Sequence, residues 1–554
     1  MASCQPIVKP VLVNGLVIMY GGKYRMLGPW GDRFGQRVSR RRGITLTITL
    51  SVTVGAASCA FVGFQHRAAA SSACTRQTAG TSVVSGTPAA VAAGVAQALF
   101  GCAPSVVVAN ANRPADVAAA VTLAEQAHAP LLLSPLAGPA ANTAAYLKGP
   151  GGTQARLASS AATVALREIN DLHPRRVLAV GLTAAELSAA MPGARVTTEP
   201  SGLPGMSAPK AHSGVAVLVP AGRSASSLAA TATAEAAGAA VVPVHGYDPR
   251  SDPSAIAALA SIKPRQVIAA GSGFGPAGRL AARLAVARTG VQLPGGGQLV
   301  VPMHRIVALY GHPGVASLGA LGQQGLRASV TRAKQVAAHY KSLSHVPVVP
   351  AFEIIASVAT SAAGPGGIYS YETPVASLRP WIQAATRAGM YVILDLQPGR
   401  ANFLTQAKMY ESLLKLPNVG LALDPEWKLQ PGQLPLHQIG NVSITEVNSV
   451  VNWLAQLTAE YRLPQKLLEL HEFKIGEIQD EQLLDTHNDD LALVMNMDGQ
   501  GTPAMKQQTW AAVRAYAPSG VTFGWKNFYV KDQPMLSPSQ TMSEAPNPVI
   551  ISYE

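Results

Sequence analysis

After residue 80 the chain alternates short apolar runs with longer segments of helical spacing. Apolar runs at 105–109, 131–134, 176–181, 215–220, 240–244 and 266–271 read as strands, and alanine-rich stretches such as 114–128 and 224–237 read as the helices between them. That pattern predicts βαβ layering, an α/β domain over 81–300. From residue 305 eight further runs follow, at 306–310, 346–350, 391–395, 420–424, 466–471, 491–496, 521–525 and 549–552. Helical patterns at 331–343, 375–388, 404–416, 445–461 and 503–516 lie between them. Eight strands in about 250 residues is the size of a (β/α)8 TIM barrel, so the predicted fold is an N-terminal βαβ-layered, Rossmann-like repeat domain followed by a TIM barrel over 305–554.

The repeat reading rests on order. The runs at 106–109 and 131–135 pair with those at 215–218 and 241–245 at an offset near 110 residues, and 173–181 pairs with 263–271 at about 90. Two degenerate copies of one α/β unit account for this. Gly273 to Gly278 satisfies the dinucleotide G-x-G-x-x-G spacing, but 291–301 contains no acid for a ribose, so the match is read as chance and no cofactor is expected.

Charge divides the chain differently. The formal net charge of +13 is concentrated early: residues 1–43 carry eight Lys/Arg against one Asp, 65–300 carry 17 against 9, and the remainder 18 against 20. The first basic block precedes an uncharged apolar stretch, 44–64, where the positive-inside rule places such charge, so membrane topology rather than nucleic acid is expected. At about 1.5 Å per residue that stretch can cross a bilayer. It is a transmembrane anchor or a cleaved signal peptide, and Ala56-Ala57-Ser58-Cys59 is similar to a lipobox, which leaves lipidation open. Residues 65–80 are a small-residue tether. Everything after them is expected outside the membrane, in the cell envelope or secreted. Of four cysteines, Cys74 and Cys102 fall on the exported side and are a disulfide candidate, with two unpaired thiols as the alternative.

Polar residues gather at the ends of the barrel strands: His312 after the first, Glu353 after the second, Asp395 in the third, and Asp424, Glu426 and Trp427 in the fourth. His471 ends the fifth, Asp498 follows the sixth, and Trp525 and Lys526 end the seventh. Many carboxylates with aromatic side chains suit glycoside hydrolysis, in which one acid protonates the leaving oxygen and a second attacks or activates water. Residues two apart in a strand face the same way. Glu426 is therefore the expected acid/base, with Asp424 or Asp395 as its partner. Glu353, His471, Asp498, Lys526 and His312 are expected to bind substrate, and Trp427 and Trp525 to offer flat surfaces to sugar rings. No His-x-His or His-Glu-x-x-His spacing supports a metal site.

The strand, the Arg113-Pro114-Ala115-Asp116 turn, the Ala129-Pro130-Leu131-Leu132-Leu133-Ser134-Pro135 strand and the Pro-Arg-Arg-Val strand ending at Gly181 resemble the cell-wall-binding repeat 2 family over about 81–300. That resemblance implies an exported bacterial protein that binds anionic wall polymer. Residues 305–554 resemble an uncharacterised actinobacterial barrel domain attached to such repeats, and the Asp-x-Glu of Asp424 and Glu426 is similar to that of family 25 glycoside hydrolases and of chitinases. The resemblance implies a cell-wall or capsular polysaccharide as partner. Two functions follow as expectations, a glycoside hydrolase-like enzyme and a non-catalytic wall-binding or scaffold protein.

Overall fold

The computed structural model describes residues 74–134, 161–183, 187, 195–198 and 214–554. The basic segment 1–43, the apolar segment 44–64 and residues 65–73 of the tether lie outside them. Among the described residues no helix is long and apolar enough to cross a membrane.

Among the described residues the first half contains two four-stranded parallel sheets. One runs Gly80–Val84, Gln266–Ala270, Val215–Pro220, Ala240–Val244 in spatial order, the other Leu131–Ser134, Ser105–Asn110, Arg176–Val180, Arg195–Thr197. Val106, Val107, Val108 and Ala109 are fully buried in sequence, the continuous apolar run of a parallel strand covered on both faces. Helix Ala225–Ala236 joins the two sheets, because the Thr233 hydroxyl accepts from Leu131 N at 3.0 Å and donates to the Leu131 carbonyl. Its alanines allow that close approach. Cys74 and Cys102 form a disulfide.

The second half is a closed barrel of eight parallel strands. In order they are Arg305–Gly311, Val348–Ala359, Tyr391–Leu396, Val419–Leu423, Lys466–Glu472, Leu491–Met497, Thr522–Asn527 and Ile550–Tyr553, and the last pairs with the first. All eight expected strands form. The second is longer than its expected run, so Glu353 sits inside the strand rather than beyond it.

Side chains alternate by the strand period of two. Val307, Leu309, Phe352, Ile354, Val392, Leu394, Leu421 and Leu470 face the surrounding helices. Ile306, Ala308, Ala351, Tyr391, Ile393, Ala422, Leu467, Val494 and Ile550 fill the lower interior together with Leu293 and Val300 from the segment that enters the barrel. That apolar layer closes the N-terminal end. The first half is attached at the same end: Arg283 donates to both carboxylate oxygens of Asp489 at 2.9 and 3.1 Å, and Arg250 donates to the Asp489 carbonyl at 3.0 Å, just before the sixth strand. The C-terminal strand ends remain open.

Candidate functional site

Above the apolar layer the inward positions become polar on almost every strand. Tyr310, Glu353, Asp395, Asp424, Glu469, His471, Asn496, Asp498, Lys526 and Glu554 each continue the inward parity of their own strand. Packing alone would fill these positions with Val or Leu.

The centre of this layer is a relay of ion pairs. His471 Nε2 is 2.9 Å from Glu353 Oε1 and 4.0 Å from Asp395 Oδ1, while its Nδ1 is 3.3 Å from Asp498 Oδ2. Tyr310 donates its hydroxyl to Asp395 Oδ2 at 2.8 Å. Lys526 Nζ lies 3.2 Å from Asp498 Oδ1, 3.0 Å from Glu554 Oε2 and 3.5 Å from the centre of the Tyr310 ring. Burial alone would discharge His471, but the Asp498 and Glu353 carboxylates facing its two ring nitrogens outweigh it and raise its pKa well above the ordinary value. Lys526 is likewise kept charged, burial being overcome by Asp498 and Glu554.

Glu426 stands in a short turn, Pro425–Trp427, directly after the fourth strand. Gly440 N donates to the Glu426 carbonyl at 2.7 Å and thereby fixes the turn. A Cβ on Gly440 would stand 2.6 Å from that oxygen, so only glycine lets the following loop fold back this closely. One carboxylate oxygen from each of Asp424, Glu426 and Asp498 lies within 4.8 Å of the others.

These acids differ in their surroundings. Burial, and then the Asp498 charge, push the Glu426 carboxyl up to about 7. Burial, then Glu426 and Asp395, raise Asp424 well above the usual range. Asp395 is raised to about 6, chiefly by burial. Asp498 goes the other way: burial opposes its charge, but Lys526 and His471 hold it below the usual carboxylate value.

A cavity of about 510 Å³ opens over the relay, with Tyr310, Gln397, Glu426, Asp498, Lys526 and Glu554 among its polar lining and Trp427, Phe473 and Phe528 among its aromatic walls. Glu353, Asp395, Asp424 and His471 do not line it; they lie beneath its floor, buried.

Two sequence-based expectations are corrected. Trp525 is fully buried on the outer face of its strand, packed edge-to-face on Trp510 with ring centroids 5.5 Å apart, and offers no surface to a sugar. It precedes the inward Lys526 by one residue, so the two cannot face the same way. His312 turns to the Thr373 hydroxyl, 3.0 Å from its Nε2, outside the cavity lining. Asp424 lies close to Glu426 but below the floor, and Asp395, also below it, faces Tyr310 and His471 instead. Glu469 and Glu554, absent from the expected set, belong to the site. Glu469 precedes His471 by two residues in one strand, and that parity is the signal that would have found it.

A scan against protein-family models finds no match, and neither does a search of curated proteins.

Proposed function

We propose that the barrel is a glycoside hydrolase-like enzyme acting on a cell-wall or capsular polysaccharide, with Glu426 as general acid/base and Asp498 as the ionised partner. The observation that carries this reading is that these two carboxyls share one aromatic-walled cavity, within 4.8 Å of each other, in environments that move their pKa values apart. Pairs of carboxyls separated in this way divide into an acid and a base or nucleophile. Glu426, protonated, gives its proton to the leaving glycosidic oxygen while Asp498 attacks the anomeric carbon. The resulting Glu426 carboxylate then takes a proton from water, whose oxygen displaces Asp498 and restores both groups. Carboxyls about 5–5.5 Å apart accompany retention of configuration, and wider pairs inversion. Attack by Asp498 itself, followed by water, is the double displacement that retains configuration.

The surroundings suit the task. Lys526 and the His471 Nδ1–H hold Asp498 as a carboxylate, and Trp427, Phe473 and Phe528 provide apolar faces of the kind sugar rings stack on. We further take the first half to hold anionic wall polymer and 44–64 to deliver the chain to the envelope, as signal peptide or anchor. The resemblance to cell-wall-binding repeats and the 17 Lys/Arg against 9 acids over 65–300 support this.

One feature favours the second reading, a non-catalytic glycan-binding barrel. Asp498 already accepts from Lys526 and His471, and a carboxylate so bonded is a weaker nucleophile. Proton NMR of the first product released from a purified envelope polysaccharide decides between them: an anomeric proton of retained configuration supports hydrolysis through Asp498, and saturable binding without product supports the second reading.

A further inference from the structure

Beneath the floor of the cavity lies a second group of donors, of which the proposed hydrolysis uses only the His471 Nδ1–H. Glu353 comes from the second barrel strand, Glu469 and His471 from the fifth, and all three are at least 99% buried. One carboxylate oxygen of each glutamate and one histidine nitrogen lie within 4.8 Å of one another, with Glu353 Oε1 only 2.9 Å from His471 Nε2.

Glu469 is the anomaly. Neither of its carboxylate oxygens has a hydrogen-bond partner among the described residues, and the same holds for Glu353 Oε2 and for Asp395 Oδ1, which lies 4.0 Å from His471 Nε2. A buried carboxyl without a partner is strongly disfavoured. A ligand that neutralises several such oxygens at once removes the difficulty. The histidine is already arranged for one. Its Nδ1 lies 3.3 Å from Asp498 Oδ2, so with a proton kept on Nδ1 the Nε2 atom, once it gives up its own proton, turns a lone pair toward the glutamates. A carboxylate that orients a histidine from behind in this way is the usual support of a metal-bound imidazole.

We propose that Glu353, Glu469 and His471 Nε2 bind one divalent first-row transition ion, Zn²⁺ or Mn²⁺, with Asp395 Oδ1 as an adjacent fourth donor. An imidazole with carboxylate oxygens and no sulfur suits these ions. Mg²⁺ fits poorly, because it retains several waters and takes few all-protein cages. Binding displaces protons from Nε2 and from Glu469 to solvent. The site goes beyond glycoside hydrolysis, since it needs no sugar and leaves Glu426 free.

The test needs no activity measurement. The purified full chain is stripped with a chelator, incubated with Zn²⁺ or Mn²⁺ and desalted, and its metal content is determined. One equivalent per chain is expected, with a raised melting temperature. Glu353→Gln and Glu469→Gln should each weaken retention at least tenfold, whereas Glu472→Gln, on the opposite face of the same strand, should retain the ion. Glutamine preserves the shape, and circular dichroism verifies folding. As a second measurement, Co²⁺ bound at the site should give visible absorption bands that vanish in Glu469→Gln. No retained metal and no bands, or retention unchanged in both glutamine variants, overturns the proposal. So does an infrared carboxylic-acid band that Glu469→Gln removes and added Zn²⁺ leaves intact, because Glu469 then holds a proton instead. Failure here leaves the Glu426 and Asp498 reading standing, and failure of hydrolysis leaves the metal content unaffected.

Discussion

Lys526 Nζ lies 3.2 Å from Asp498 Oδ1 with both side chains almost wholly buried, and Glu554 and His471 extend the pair on either side. Breaking a buried pair from one side costs about 3–5 kcal/mol, and here Asp498 would keep only His471 beside it. Lys526→Met should therefore lower the unfolding free energy by that order in chemical denaturation. Removing the second charge as well, in Lys526→Met with Asp498→Asn, should recover part of the loss.

The pH dependence of turnover follows from the two carboxyls on the cavity. Glu426 must be protonated to act as acid, and its pKa is raised to about 7, so kcat/KM should fall as pH rises through about 7. Asp498 must be ionised, and its pKa is lowered, so the acid limb should lie below the ordinary aspartate range. A pH profile of kcat/KM checks both limbs. A basic limb that survives in the residual activity of Glu426→Gln would assign it to another group.

Stability should run opposite to the common pattern over part of the range. Glu472 is raised to about 9 by burial and by Glu481, and Glu477 to about 8 chiefly by burial. Their folded pKa values lie above those of the unfolded chain, so between about 4.5 and 9 the folded state binds more protons and stability falls as pH rises. Melting temperatures taken from pH 5 to pH 8 should decline, and Glu472→Gln should flatten the decline.

Trp427 and Trp525 should separate cleanly. Trp525→Ala removes a core ring and is expected to cost about 3–5 kcal/mol of stability with KM unchanged in the folded fraction. Trp427→Ala removes a cavity wall and should raise KM with little change in melting temperature. Denaturation and steady-state kinetics on the same two proteins check the contrast.

Reduction of Cys74–Cys102 opens a cross-link between residues 28 apart, worth about 3–4 kcal/mol by loop entropy. The loss should fall on the first half. Hydrogen exchange under reductant should speed up in Ser105–Asn110 and leave the barrel strand Leu491–Met497 unchanged.

The barrel was legible because each strand is a compact apolar run closed by a polar residue, as Tyr391–Leu396 shows with Asp395. Parity was legible too, and neglecting it put Trp525 in the site and left Glu469 out. What no run of residues shows is which side chains meet once the barrel closes. Glu353 and His471 lie on strands that are not neighbours in the sheet, and their 2.9 Å contact exists only because the interior is shared. Glu554 was missed because the expected eighth strand stops two residues short of it. The lowering of Asp498 depends on Lys526, which reaches it from the neighbouring strand, while burial and Asp498 raise Glu426.

The most direct measurement is the release of oligosaccharides from purified envelope polysaccharides by the intact protein, by Glu426→Gln and by Asp498→Asn. The expected result is release by the intact protein and a fall of about 10²–10⁴ in each variant with binding retained. Equal release by Glu426→Gln and the intact protein, or binding without release by the intact protein, would contradict the assignment.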